Sequence, residues 1–340
     1  MDCPLPIARS FLASHTDVHI EPWLQTGFSG AAIWQVQTAE GTYCLRRWPE
    51  EGLPPVRIRT LHHFLRDLAN RGIDVVPVPV VAEDGSTLLW HDLAWWQLEP
   101  WMPGRADYSK VPTDERLRNI MHVVADIHCA AAQHEPQPEG REWFAGPLRA
   151  PSPNGEERLR LLRDRDAART AALMQKLSML PDAELQTIAA EVLLLYGQLR
   201  DGVALQVAEP FSRPLPLQVC LRDLWHDHVL LSGDDVTGII DLSAARWDHV
   251  ATDLARLLGS LVGDDHLRRE QALDWYEERR PLSAEDRQLV VLFDRSAVLL
   301  SGLLWVERIT SSGVPPENRE AVAGRLRKFR DRMQTLADAG

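Results

Sequence analysis

Residues 220–261, CLRDLWHDHVLLSGDDVTGIIDLSAARWDHVATDLARLLGSL, decide how the rest of the chain is read. Two apolar runs, 229–231 and 236–240, flank Ser232-Gly233-Asp234-Asp235, and glycine with aspartate between β-branched runs signals a hairpin. Centred on Asp234 and Asp235, its arms count back so that His228 faces Asp241. Two side chains able to bind a metal then stand side by side. Asp223 precedes the first arm in a segment too polar to extend the strand, so three ionisable groups converge at one end of a small ribbon.

Read as motifs, the stretch contains Leu221-Arg222-Asp223, four residues and then His228, followed by Ile239-Ile240-Asp241-Leu242, Trp247-Asp248-His249 and Asp253-Leu254-Ala255. In this order and spacing it resembles the catalytic and metal-binding loops of the aminoglycoside phosphotransferase and choline kinase family, relatives of the protein kinases. The family pattern runs His-Gly-Asp, four residues, Asn, and later Ile-Ile-Asp-Trp. The resemblance implies that Asp223 orients or deprotonates a substrate hydroxyl. It implies that residue 228 and Asp241 hold the magnesium ions bridging the phosphates of ATP. Two positions depart from the pattern. His228 replaces a metal-binding Asn, and since magnesium prefers oxygen while imidazole suits zinc or manganese, manganese becomes an alternative. Leu221 replaces the first His, a largely structural position. Arg222 is similar to the protein-kinase form of the loop, in which the arginine serves an activation loop.

Composition agrees with a cytoplasmic enzyme. A chain of 340 residues with 45% hydrophobic residues can bury one large core or two. Cys3, Cys44, Cys129 and Cys220 form no CxxC pair, which points to a reducing compartment and away from a disulfide framework. No leader pattern opens the chain, and no uninterrupted apolar run approaches ~18 residues, so neither export nor a membrane is expected. A net charge of -12 argues against nucleic acid, whose affinity comes chiefly from Lys and Arg on phosphates.

Upstream, residues 17–48 read as a strand, a glycine-containing turn at Thr26-Gly27-Phe28-Ser29-Gly30, and a hairpin through Glu40-Gly41. A plain β-turn explains two glycines equally well. In the resembling family this turn covers phosphates and the next strand carries a Lys to them, which assigns Gly27, Ser29, Gly30 and Arg46 to the nucleotide. Arg46 can grip a phosphate bidentately. Of adjacent Arg46 and Arg47, alternation sends one to solvent. Apolar residues recur at helical spacing from Pro55 to Arg71, ending near Gly72. No acid lies between Val56 and Arg66, so the helix Glu that kinases pair with the strand cation is missing.

Residues 74–103 read as strands, VVPVPVVA, STLLW and LAWWQLEPW. The resemblance makes 97–101 the hinge whose backbone reads adenine, with Glu99 and Trp101 as nucleotide contacts. A helix follows from the Thr113 cap, 150–155 read as a loop, 156–200 as two helices parted near Leu180-Pro181-Asp182, and Thr252 caps a further helix. The expected fold class is α+β, a kinase-like two-lobed fold with a β-rich nucleotide-binding lobe at 1–98 and a helical lobe carrying catalytic loop and substrate site at 99–340. The expected function is ATP-dependent phosphoryl transfer to a hydroxyl of a small molecule. Two other readings stay open: a degenerate kinase fold that binds a nucleotide or partner without turnover, and a metal-dependent phosphohydrolase built on Trp225-His226-Asp227-His228.

Overall fold

The computed structural model describes residues 4–12, 17–23, 31–315 and 318–339. In chain order these carry α1 (Leu5–Phe11), β1 (His19–Pro22), β2 (Ala32–Thr38), β3 (Gly41–Arg47), α2 (Pro55–Asn70), β4 (Leu89–His91), β5 (Ala94–Pro100), α3 (Asp114–Ala131) and α4 (Arg141–Phe144). There follow β6 (Arg149–Ala150), α5 (Pro153–Asp164), α6 (Ala167–Leu177), α7 (Ala183–Ser212), β7 (Leu215–Pro216) and β8 (Gln218–Cys220). The chain closes with β9 (Val229–Ser232), β10 (Asp235–Ile239), β11 (Arg246–Asp248), α8 (Ala251–Leu261), α9 (His266–Glu277), α10 (Ala284–Ser312) and α11 (Arg319–Asp338). These elements form two compact units. The first comprises Met1–Gly146, Gln218–Trp247 and Asp274–Pro281, and the second comprises Pro147–Leu217, Asp248–Leu273 and Leu282–Gly340.

In the first unit, five antiparallel strands lie in the order β1-β2-β3-β5-β4. Trp34, Val36, Leu45, Trp96 and Leu98 pack with Ile7, Ala8 and Phe11 of α1 on one face. Because strand side chains alternate, Cys44, Arg46, Gln97 and Glu99 must point to the other face. α2 meets that face through His62. Pro55 opens α2 where no backbone donor is needed, Ile58, Leu61, Phe64, Leu65 and Leu68 form its buried stripe, and Gly72 follows it at φ 88°.

The second unit is built on α10, which packs against α7, α8 and α11. α10 is long and apolar enough to cross a membrane, yet 67% of its apolar window is buried inside the protein, as a core helix requires. Its Asp294 accepts hydrogen bonds from Arg269 at 2.7 Å and Arg332 at 2.8 Å, so its buried charge is answered twice.

Four expectations need correction. Residues 74–82 run without joining the sheet as a strand, because Pro77 and Pro79 have no N–H to give a ladder; Val80 N–H reaches Leu98 O at 2.7 Å, and Val75 O accepts from Ile239 N–H at 2.7 Å. The β9–β10 hairpin turns on Gly233 and Asp234, one position earlier than counted, with Gly233 supplying the positive φ of 62°. Thr237 then bulges out, its hydroxyl donating to Pro103 O at 2.7 Å, so His228 lies opposite Ile240 instead of Asp241. The segment after 150 holds three helices, because Asp166 caps a new one by accepting from Arg169 N–H at 2.9 Å. Finally, α8 begins without a side-chain cap, since the Thr252 hydroxyl donates back to His249 O at 2.8 Å.

Candidate active site

β8 ends at Cys220, and within three residues the chain reverses. Asp223 N–H donates to Leu221 O at 2.9 Å across Arg222, which takes φ 67°, a strained value for a residue with a side chain. The turn buries Leu221 and Leu224 and leaves Asp223 exposed. Leu221 is thereby a core residue, which accounts for an aliphatic side chain at that position.

A short 3₁₀ turn at His226–His228 leads into β9. The Trp225 indole N–H donates to His228 Nε2 at 2.9 Å, so Nδ1 carries the imidazole proton and donates to Asp223 O at 2.8 Å. At the far end of the hairpin Asp241 adopts left-handed backbone, φ 58° and ψ 54°. Its Oδ2 lies 3.7 Å from His228 Nε2 and its Oδ1 lies 3.8 Å from Arg46 Nη1. The side chains of His228 and Asp241 therefore meet although their backbones are out of register.

Arg46 reaches this point from β3, with its side chain 12% exposed. Nη2 lies 3.5 Å from Glu99 Oε1 on the neighbouring β5. Glu99 Oε2 accepts from Gln97 Nε2 at 2.7 Å, and Gln97 Oε1 accepts from Trp48 Nε1 at 2.8 Å and from His62 Nε2 at 2.9 Å. Burial holds the Glu99 carboxyl above its usual range, with Arg46 and Gln97 pulling it back in part. Burial also lowers His62 to about 4, so it is neutral, and its Nδ1 accepts from the Thr87 hydroxyl at 2.8 Å. The helix brings no acid, as its sequence led one to expect, yet the strand cation keeps a buried acid partner, Glu99 on β5. The sequence places Gln97 only in the hinge and His62 only on the helix, and neither as a side chain of this network. The signal was the alternation of polar Gln97 and Glu99 with apolar Trp96 and Leu98.

Of the other expected nucleotide contacts, Trp101 gives its N–H to Thr42 O at 3.0 Å and sets its ring edge against Trp23, 4.9 Å between centroids. Glu99 turns its carboxylate inward to Arg46. Gly27, Ser29 and Gly30 lie outside the described residues. Arg47, the partner of Arg46 in the alternation, lies over the Trp96 ring on the opposite face, 6.0 Å from its centroid.

The residues present fit a phosphate group better than they fit a metal cage. Arg46 Nε is buried with no hydrogen-bond partner among the described residues, and an anionic oxygen is what that N–H lacks. Among the described residues no three of His, Cys, Asp and Glu converge to hold a metal. The Asp241 carboxylate suits a hard cation that completes its shell with phosphate and water. The His228 nitrogen does not, while the indole N–H occupies its lone pair.

Comparisons with known proteins place the family and the fold. The model of the phosphotransferase enzyme family matches residues 24–289. A homoserine kinase of Sinorhizobium medicae is 34% identical over 109 residues, 30% of this chain and 33% of that protein. The matched stretch thus spans about a third of that curated relative. Among solved structures, a spectinomycin phosphotransferase with ADP and spectinomycin superposes with a TM-score of 0.62 at 13% identity, over 96% of this chain and 93% of that one. An amicoumacin kinase in complex with AMP-PNP, Ca2+ and Ami gives 0.63 at 13% identity, over 97% and 94%. At such identities the superpositions speak to the fold, which is kinase-like, as the motifs led one to expect. With the 221–223 turn, the hairpin and Arg46 in the order of the family's motifs and its model matching most of the chain, this protein belongs to the phosphotransferase enzyme family.

Proposed function

We propose that the chain is a cytoplasmic kinase that moves the γ-phosphoryl of ATP to a hydroxyl on a small molecule. The observation that carries this reading is the meeting of Arg46 with Asp241, a metal-competent carboxylate beside a buried guanidinium whose Nε lacks a partner among the described residues. Arg46 would hold phosphate oxygens, and Asp241 would hold magnesium or manganese. Bound together, nucleotide and cation supply the transferable phosphoryl group and neutralise its charge. Asp223, exposed on its turn, would align the acceptor hydroxyl and take its proton. Most of the rate of such reactions comes from positioning, which a rigid ribbon and sheet supply. Homoserine kinases among the curated relatives and antibiotic kinases among the structural ones support a small hydroxylated acceptor. Free cysteines at Cys44, Cys129 and Cys220 support the compartment.

The test is ATP turnover over a panel of hydroxylated amino acids, amino alcohols and aminoglycosides, run with magnesium and then manganese. Acceptor-dependent ADP release that Asp223→Asn removes is the expected outcome. One observation favours the second reading, a nucleotide-binding protein without turnover: the Trp225 indole occupies the His228 nitrogen. Nucleotide binding with no acceptor raising turnover would select it.

A further inference from the structure

The first turn of α2 carries a second buried cation that the phosphoryl-transfer reading leaves unused. Arg57 is 5% exposed. Its Nη2 donates to Ser243 O at 3.2 Å and Ala245 O at 3.1 Å, carbonyls of the loop that follows Asp241. Its Nη1 is equally buried and has no hydrogen-bond partner among the described residues. Arg246 comes directly after that loop, on β11, which pairs with β8, the strand that runs into Arg222. Three guanidinium-bearing residues thereby gather about one loop. Burial and the charges of Arg246 and Arg222 together depress Arg57 to about 10, and Glu142, itself exposed, acts against them. Two carbonyls and the face of Trp143, 5.7 Å from the guanidinium carbon, answer part of that buried charge, and an anion at Nη1 would answer the rest. Arg246 is exposed and makes no ion pair among the described residues, so its charge is available.

We propose that Arg57, Arg246 and Arg222 form a binding site for a small oxyanion, a carboxylate or a phosphate, which satisfies Arg57 Nη1 and pins the loop at 242–246. Guanidinium groups are suited to both anions because their paired N–H groups match two oxygens at once. The anion has two possible sources, an acidic group on the acceptor or a free phosphate effector. The site adjoins the proposed catalytic turn through Arg222 but does not depend on turnover.

Titration calorimetry of the full nucleotide-free chain with inorganic phosphate, and separately with acetate, tests it. Wild type should bind at least one of the two. Arg246→Gln should weaken that binding at least tenfold and Arg246→Glu should abolish it, whereas Arg59→Gln, an exposed arginine on the same helix, should leave it unchanged. Because Arg246 is exposed, its variants should fold, which circular dichroism checks; Arg57→Gln also removes the loop contacts and is therefore secondary. Phosphate bound more tightly than acetate assigns an effector, and acetate bound as tightly or more tightly assigns an acceptor carboxylate. Equal phosphate affinity in wild type and Arg246→Gln would place the anion elsewhere, at Arg46 for example, and overturn the site. So would the absence of binding by both anions. Neither failure touches the phosphotransfer reading, which stands on ATP turnover.

Discussion

Two parts of one unit meet at Asp241, and they are built differently. The turn and hairpin at residues 221–241 obtain their geometry from chain neighbours: a three-residue turn at Arg222, Gly233 at the hairpin tip, and a bulge at Thr237. The cation network on the sheet obtains its geometry from residues far apart, since Arg46, His62, Gln97 and Glu99 come from β3, α2 and β5. The first part exposes the Asp223 carboxylate, while the second is buried and, among the described residues, closed by hydrogen bonds except at Arg46 Nε. The contrast sets an accessible carboxylate on a ribbon against a network that holds one cation in place, and on the proposed function the ribbon would carry the chemistry. Mutations should divide accordingly, into those that affect rate and those that affect stability.

The largest effect should come from the ribbon. Asp223→Asn should lower turnover by about 10²- to 10⁴-fold, the usual size of general-base and orientation effects, with nucleotide affinity held within a few fold. Parallel ADP-release and nucleotide-binding measurements check this. A loss of both together would assign Asp223 to the fold and erase the contrast.

Next, Glu99→Ala should cost about 3 kcal/mol in urea unfolding, because removing one member of a buried pair strands the other. Glu99→Gln should cost less, keeping an acceptor for Gln97. A stability unchanged in both would show that Asp241 alone suffices for Arg46.

The network also predicts a pH dependence of known sign. The folded pKa of His62, about 4, lies below its ordinary 6.5, so the unfolded chain takes up the proton first as pH falls. The stability tied to His62 is thus complete above about pH 6.5 and drains away toward pH 4, by about 2 kcal/mol between pH 7.5 and pH 5. Glu99 acts in the opposite sense, since a raised carboxyl favours the folded state at lower pH. The difference between wild type and His62→Gln across that range isolates the histidine. Parallel curves for the two proteins would refute the assignment.

The same contrast explains what could be read in the chain. Asp223, His228 and Asp241 were legible because their relation is carried by short spacings, and α2 and the hairpins were legible by period and turn chemistry. The hairpin register was misjudged because a bulge held by Pro103, more than a hundred residues earlier, cannot be seen in the hairpin itself. The acid partner of Arg46 was sought on α2, since the pairing of Cys44 with Glu99 and of Arg46 with Gln97 exists only once β3 and β5 lie side by side. Residues 74–82 carried the β-branched composition of a strand, and two prolines outweighed it.

The smallest effect belongs to His228. With its nitrogen accepting from Trp225, His228→Asn should change turnover by only a few fold and leave the preference between manganese and magnesium unchanged. Rates measured over a titration of each metal test this, and a shift from manganese toward magnesium would return residue 228 to the metal site.

A crystal structure with a non-hydrolysable ATP analogue and magnesium tests the central claim most directly. The account predicts a phosphate oxygen within hydrogen-bonding distance of Arg46 Nε, the ion on the Asp241 carboxylate at about 2.1 Å, and Asp223 facing the γ-phosphate. Phosphates bound away from Arg46, with Asp241 free of metal, would contradict it.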